Sequence, residues 1–93
     1  MNTAMSNVQM QEQIQAFILE KFPLSRKRSL TPQVDLLESG ILDSLGILDL
    51  VSFVEQTFGI VVNDEELVPE NFRSIESLSA FVLAKGREMG RSE

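Results

Sequence analysis

Residues 40–60 read GILDSLGILDLVSFVEQTFGI, and this stretch decides the fold because it contains a complete helix with both of its ends. Asp43 is a good N-cap residue, since its side chain can accept hydrogen bonds from the first free backbone N–H groups of a helix. Gly59 readily adopts the left-handed conformation that closes a helix. The pattern therefore predicts a helix from Ser44 to Phe58.

The apolar residues of this helix predict one buried face and a second apolar group beside it. At about 100° per residue, the buried face is an arc about 100° wide. It contains Ile47, Leu50, Val51, Val54 and Phe58. Leu45, Leu48 and Phe53 lie outside the arc. They either tuck under the preceding connection or form an exposed cluster that binds a partner.

The N-terminal segment predicts a helix from about Asn7 to Lys21. Ser6 followed by Gln9 has the form of a capping box, and Pro23 ends the helix because it restricts the residue before it to extended dihedrals. Apolar residues recur at spacings of three, four and seven, which gives this helix one apolar face. That face contains Val8, Ile14, Phe17, Ile18 and Phe22.

The C-terminal third predicts a short helical turn and one more long helix. Asn63 caps the turn over residues 64–67, which Pro69 closes. Ser74 is placed to cap the last helix, and Gly86 is expected to end it. The apolar face of this helix contains Ile75, Leu78, Phe81 and Val82.

Two connections between these helices are apolar enough to lie against the core. Residues 23–40 have no sustained period but contain several large apolar residues, and residues 59–62 are interpreted as a buried linker because no second strand could pair with them. The sequence predicts an all-α fold. It is a small four-helix bundle of three main helices and one short helix, with a long loop between the first two. We expect one domain over residues 1–93, with a core of about 7–87 and frayed ends at 1–6 and 88–93.

The charge distribution is strongly asymmetric. The formal net charge is −6, yet Ser29–Phe72 contains nine of the 14 acidic residues and no Lys or Arg. An acidic surface of this kind repels nucleic-acid phosphates and attracts basic protein surfaces. The alternative is that the charge only keeps the protein soluble. The cluster Arg26–Arg28 is too short to indicate nucleic-acid binding.

The sequence has no targeting or membrane signal. Residues 1–15 lack the basic and apolar regions of a signal peptide, and no apolar run approaches the roughly 20 residues of a membrane span. We therefore expect a cytoplasmic protein that does not bind membranes, and we expect a monomer.

The composition argues against catalysis by the chain itself. It contains no His and no Cys, so the commonest general base, the commonest metal ligands and the thiolate nucleophile are absent. The acidic run Asp64–Glu66 lacks the alternating ligands and the glycine of a calcium loop, so no metal site is predicted. Ser44 has no adjacent base. It does open a helix, where free N–H groups and the dipole favour a bound phosphate, although Asp43 and Ser44 could simply start the helix.

The motif around Ser44 resembles the carrier protein family, whose acyl, peptidyl and aminoacyl carriers bear a 4′-phosphopantetheine arm. Its hallmark is an Asp-Ser-Leu triplet that opens the second helix after a Gly and two apolar residues, as residues 40–45 do here. The stretch from Val54 to Ile60 matches the apolar-Glu-x-x-Phe-Gly-Ile end of that helix. The resemblance runs from about Met10 to Leu83.

The resemblance implies a function without catalysis. Ser44 would receive the arm from coenzyme A through a separate phosphopantetheinyl transferase, and the thiol of the arm would hold an acyl or aminoacyl group as a thioester. Asp43 would cap the helix and help the transferase to dock. The transferase and a loading ligase or synthase with a basic docking surface would read the second helix at Leu45, Leu48, Asp49 and Glu55. Ser44, Leu48 and Glu55 lie within about 40° of one another around that helix.

Two departures from the family pattern favour a specialised pathway, such as polyketide or nonribosomal peptide synthesis, over housekeeping fatty acid synthesis. Many fatty acyl carriers have an acidic residue at the position of Gly46, and many have Pro at the position of Asn63. Two alternatives stay open at this point. One is an unmodified acidic interaction module that docks a basic protein through Leu45, Leu48 and Phe53. The other is an enzyme in its own right, which the missing catalytic residues disfavour.

Overall fold

The described part of the protein contains four α-helices, and a long loop joins the first two. A computed structural model describes residues 7–27 and 29–90. Its helices are α1 (Asn7–Lys21), α2 (Ser44–Phe58), α3 (Pro69–Phe72) and α4 (Ile75–Gly90). The described residues contain no β-strand. The predicted all-α fold, with three main helices, one short helix and a long loop, is confirmed, as are the bounds of α1 and α2.

The core lies between the three long helices. Each contributes side chains that are almost fully buried, and each such side chain contributes about 1.5–3 kcal/mol by leaving water. The core positions on these helices are Met10, Ile14 and Ile18 from α1, Leu50 and Val54 from α2, and Ile75, Leu78 and Val82 from α4. Where α1 packs on α4, the Gln11 Nε2 donates a hydrogen bond of 3.2 Å to the Ser79 Oγ. This polar contact fixes the register of the two helices.

The connection that follows α1 begins with a 3₁₀ turn that the sequence pattern did not indicate. The turn spans Pro23–Arg26, and Ser25 within it is buried. The Ser25 hydroxyl lies 2.6 Å from the carbonyl oxygen of Phe22 and 3.2 Å from that of Ile18. The hydroxyl shares its one proton between these two carbonyls, which also accept from the N–H groups of Ser25 and Phe22, and so ties the turn to the end of α1.

The rest of the long loop is fastened to the C-terminal half, as its apolar content predicts. Leu36 is fully buried, and its N–H donates to the carbonyl of Arg73 over 2.6 Å. The Asp35 carboxylate accepts from the N–H groups of Leu37 and Glu38, which forms an Asx-type turn. The loop therefore approaches α2 from a fixed position.

The short helix differs from its prediction. Residues 64–66 form a 3₁₀ turn, and the four-residue α3 begins at Pro69. The expectation that Pro69 closes a helix is wrong, because proline fits the first helical position, where no N–H partner is needed. Ser74 does cap α4, since its hydroxyl accepts from the N–H of Ser77 over 3.0 Å.

The end of the last helix was also misplaced. α4 continues through Gly86 to Gly90, so the prediction that it ends at Gly86 is wrong. Among the residues described, only Gly40 and Gly59 have positive φ, so Gly86 keeps the helical conformation and costs about 1 kcal/mol relative to Ala. Helix-favouring residues on its C-terminal side sustain the helix across this cost.

Two apolar residues assigned to buried positions are exposed. Val8, at the start of α1, is 64% exposed, and Val61 in the linker after α2 is 58% exposed. Val8 lies in the first turn, ahead of the part of α1 that packs on α4, and in the linker only Ile60 turns fully into the core. Fraying was expected at residues 88–93, but residues 88–90 belong to α4. The rest of that end, the expected fraying of residues 1–6 and the predicted Ser6 cap lie outside the described residues. None of the described helices has the length and hydropathy needed to cross a membrane.

Candidate functional site

The N-terminus of α2 is built around Asp43. This residue is extended, with φ −112° and ψ −175°, and its carboxylate accepts from the N–H of Gly46 over 2.7 Å. Its carbonyl oxygen accepts from the N–H of Ile47 over 3.0 Å. Asp43 therefore satisfies the third and fourth N–H groups of the helix, as the sequence predicts for an N-cap.

Ser44 is the first residue of α2 and is exposed to solvent. The N–H groups of Ser44 and Leu45 have no acceptor inside a helix that starts here, and the helix dipole adds positive potential at this end. The side-chain hydroxyl of Ser44 thus lies where an attached phosphate would be stabilised.

The residues before Asp43 fix where α2 begins. Ile41 and Leu42 are buried, and the Leu42 N–H donates to the carbonyl of Leu36 over 2.9 Å. Gly40 has φ +82°, which only glycine adopts without strain, and its open side faces the side chain of Leu24. The Gly and two apolar residues of the motif are therefore the anchor that presents Asp43 and Ser44 at the surface.

Gly46 is a site residue whose role sequence reasoning missed. A Cβ atom at this position would lie 2.9 Å from Leu42 Cδ1, 2.9 Å from Phe22 Cε1 and 3.2 Å from the Asp43 carboxylate. The position is buried, so the end of α1 packs directly on the backbone of α2. The sequence signal for this contact was the glycine inside an otherwise strongly helical pattern, which indicates that another part of the chain packs closely on the helix backbone. The same contact leaves no space for an acidic side chain at this position.

Leu45, Leu48 and Asp49 form an exposed surface on α2 next to Ser44. Leu45 is 75% exposed and Leu48 is 56% exposed, whereas a Leu in a helix of a small bundle is usually turned into the core. Asp49 is also exposed. The structure thus brings three of the four predicted recognition residues to the surface near Ser44. We call these three residues the α2 surface.

Glu55, the fourth predicted recognition residue, is engaged within the protein. It is half-buried, and its Oε2 accepts from the N–H of Val62 over 2.9 Å. This hydrogen bond ties the linker after Gly59 back to α2. The helical angle places Glu55 on the same face of α2 as Ser44, but the Glu55 carboxylate is used in holding the linker in place.

Phe53 does not belong to an exposed cluster. Its ring stacks on that of Phe17 in α1, with 4.2 Å between ring centroids, and meets Phe58 edge to face at 6.0 Å. It packs against α1 rather than under the long loop. The grouping of Phe53 with Leu45 and Leu48 as one docking surface is therefore wrong, because α1 already covers the ring.

The acidic turn at residues 64–66 stabilises the fold. The Glu66 carboxylate accepts from the backbone N–H of Asn63 over 2.9 Å and pairs with Lys85 Nζ at 3.0 Å. The hydrogen bond from Asn63 lowers the pKa of Glu66, with partial burial opposing it and the contact with Lys85 adding to it. Within residues 7–27 and 29–90, no group of carboxylates is arranged to hold a metal ion.

Comparisons with known proteins place this site in context. Residues 12–82 match the protein family described as the phosphopantetheine attachment site. The chain is 35% identical over 65 residues to the "Probable acyl carrier protein PigG" of Serratia sp., over 70% of this chain and 75% of that protein. It is 35% identical over 68 residues to aminoacyl carrier protein 1 of Bradyrhizobium diazoefficiens, over 73% of this chain and 72% of the relative. The structure of apo KstB-PCP is similar at 39% identity with a TM-score of 0.68, over 85% of this chain and 88% of that one.

Proposed function

This chain belongs to the carrier proteins with a phosphopantetheine attachment site, and from that premise we propose that Ser44 is the residue that carries the arm. The chain is not an enzyme; it holds an acyl or aminoacyl group for other enzymes to use, and its cofactor is 4′-phosphopantetheine. The observation that supports Ser44 is its place as the exposed first residue of a helix whose cap is Asp43.

The residues around Ser44 fit a phosphate diester. The Ser44 hydroxyl is accessible, and the N–H groups at the start of α2 favour the negative charge that the diester brings. When bound, the arm supplies a thiol that holds the cargo as a thioester. The chain needs no Cys or His of its own, because the reactive group is imported and the bond-forming steps belong to partner enzymes.

We propose that partner enzymes read the α2 surface. Carrier proteins work with transferases and synthetases, and both must approach Ser44. Leu45 and Leu48 offer apolar contact area, and Asp49 with the N-cap Asp43 offers negative charge toward a basic enzyme surface. Glu55 acts indirectly in this proposal, because it fixes the linker that ends α2.

We propose that the cargo is an amino acid or a short acyl unit of a specialised pathway. The relatives named above are an acyl carrier and an aminoacyl carrier, and the solved neighbour is a peptidyl carrier protein. Gly46 also supports a specialised pathway, because the close packing of Phe22 leaves no space for the acidic residue that many fatty acyl carriers have there.

We also propose that the protein acts in the cytoplasm as a single-domain monomer.

The attachment site is tested with a serine pair on the same helix. The Ser44→Ala and Ser52→Ala variants are incubated with a fluorescent coenzyme A analogue and a promiscuous phosphopantetheinyl transferase. Both serines are exposed, so neither change should disturb the fold. We expect no labelling of Ser44→Ala and wild-type labelling of Ser52→Ala. Labelling that survives in Ser44→Ala would refute the assignment.

The α2 surface is tested with two matched apolar residues. Leu48 is 56% exposed and Val61 is 58% exposed, and only Leu48 lies on α2. We expect Leu48→Asp to slow labelling about tenfold, since it removes an apolar contact at the centre of the surface. Val61→Asp should label at the wild-type rate. Equal rates for the two variants would show that partners do not use Leu48.

A further inference from the structure

The basic residues that have no ion-pair partner are concentrated at one end of the bundle. Of the basic side chains that the structure describes, Arg73 pairs with Asp35 at 3.6 Å and Lys85 pairs with Glu66 at 3.0 Å. The others form no ion pair within the described residues, and all are exposed. They are Lys21, Arg26, Lys27 and Arg87. Three of these four lie within seven consecutive residues of a protein whose net charge is −6.

The segment that contains these three cations is held in a fixed conformation. The buried Ser25 ties the 3₁₀ turn to the end of α1, as described above. Arg26 Nε donates to the carbonyl of Leu19 over 2.8 Å, which orients its guanidinium group. Lys21 and Lys27 flank this turn. A charged surface that is already ordered loses little conformational entropy when a partner binds it.

The same segment lies beside the start of α2. Phe22 packs on Gly46, and Leu24 packs against Gly40, so the segment contacts the chain both before and after Ser44. Leu24, which lies between Lys21 and Arg26 in the sequence, is 37% exposed. Glu20 is the one acidic residue in the range 20–27, so the local charge is positive. An enzyme that reaches Ser44 therefore meets the α2 surface and, next to it, a basic surface, since Lys21 and Asp49 line the same surface pocket.

We propose that Lys21, Arg26 and Lys27 form a second docking surface, which binds an acidic patch on the enzyme that acts on the arm at Ser44. We call these three residues the basic turn. Two adjoining surfaces of opposite sign fix the orientation of a partner, since a reversed approach brings like charges together. The proposal rests on the proposed carrier function, because it assumes that enzymes approach Ser44.

The structural explanation for the same residues is that cations stabilise the C-terminal end of α1 through the helix dipole. That explanation predicts an effect on the free energy of unfolding and none on binding. The test therefore measures both quantities. The Lys21→Gln/Lys27→Gln variant leaves the hydrogen bond of Arg26 intact, and Arg87→Gln serves as the control because it removes an exposed, unpaired cation elsewhere.

The probe is a poly-glutamate peptide titrated into the isotope-labelled protein at low ionic strength, with amide shifts followed by NMR. We expect shifts centred on residues 21–27 and 40–44. The double variant should bind about threefold to tenfold more weakly, since two exposed ion pairs are lost. Arg87→Gln should bind as the wild type does, and added salt should abolish the shifts.

Three outcomes would overturn the proposal: no localised shifts, shifts centred on α4, or equal weakening in the double variant and the control. The titration is run on the apo-protein as well as on protein treated with coenzyme A and transferase. If the protein is not modified at Ser44 but binds the peptide at the basic turn, only the carrier assignment is contradicted. A modified protein that does not bind the peptide contradicts the basic turn alone.

Discussion

Replacement of Gly46 by Ala tests the packing that positions Ser44. The new methyl group would lie 2.9 Å from atoms of Leu42 and Phe22, closer than carbon atoms approach in a relaxed core. Leu42 is 2% exposed, so its side chain cannot turn into solvent to relieve the contact. Added volume of this kind costs about 1–3 kcal/mol in a packed core.

The helix itself favours the substitution. Ala is better than Gly in a helix by about 1 kcal/mol, which offsets part of the steric cost. The net expectation for Gly46→Ala is a loss of about 0–2 kcal/mol in the free energy of unfolding. Gly86→Ala isolates the propensity effect, because Gly86 is helical and nothing lies within 4 Å of its added methyl group. The free energy of unfolding of that variant should rise by about 0.5–1 kcal/mol.

The comparison is read from denaturant unfolding followed by far-UV circular dichroism, with thermal melting as a second readout. We expect the free energy of unfolding of Gly46→Ala to be lower than that of Gly86→Ala by about 1–3 kcal/mol. For a domain of this size each kcal/mol shifts the midpoint of melting by about 4–8 °C. If Gly46→Ala is stabilised as much as Gly86→Ala, Phe22 and Leu42 do not close on the backbone of α2 and the reasoning is refuted.

Three further predictions concern the supports of the site and the core. Asp43→Ala should lower the free energy of unfolding by about 1 kcal/mol, since it removes the N-cap of α2, and Asp43→Ser should restore most of the loss in the same denaturant assay. Glu66→Gln should destabilise the protein near neutral pH, because the charged carboxylate is the better acceptor for the N–H of Asn63. As the folded-state pKa lies below the ordinary value of 4.5, that difference should persist above pH 4.5 and disappear as the pH falls through the folded pKa, and a difference that stays constant with pH would contradict it. A double-mutant cycle of Phe17→Leu and Phe53→Leu should give a coupling of about 0.5–1.5 kcal/mol from the stacked rings, and a coupling near zero would show that they do not interact.

The helices could be predicted from sequence because their signals are local. Asp43 and Gly59 mark the two ends of α2 through the hydrogen bonds of a cap and the backbone freedom of a glycine, and neither depends on the rest of the fold. The same is true of Pro23 after α1. Pro69 was misjudged because proline both ends helices and begins them, and the sequence alone does not say which side of it is helical.

The surroundings of Ser44 were only partly predictable, because packing partners far apart in sequence decide them. The helical angle placed Phe53 outside the buried face of α2, but it could not show that the ring of Phe17 covers it and that Phe53 packs against the core. It likewise placed Glu55 on the same face of α2 as Ser44 without showing the hydrogen bond to Val62. The packing of Phe22 on Gly46 joins two helices across the long loop, and periodicity within one helix carries no information about such a contact.

The central claim is that Ser44 carries the phosphopantetheine arm, and intact-protein mass spectrometry with tandem fragmentation tests it most directly. The protein is measured before and after incubation with coenzyme A and a promiscuous transferase. The account predicts a gain of one phosphopantetheine group, with fragment ions that place it on Ser44. No gain on a protein that is folded by circular dichroism, or a gain placed on another residue, would contradict it.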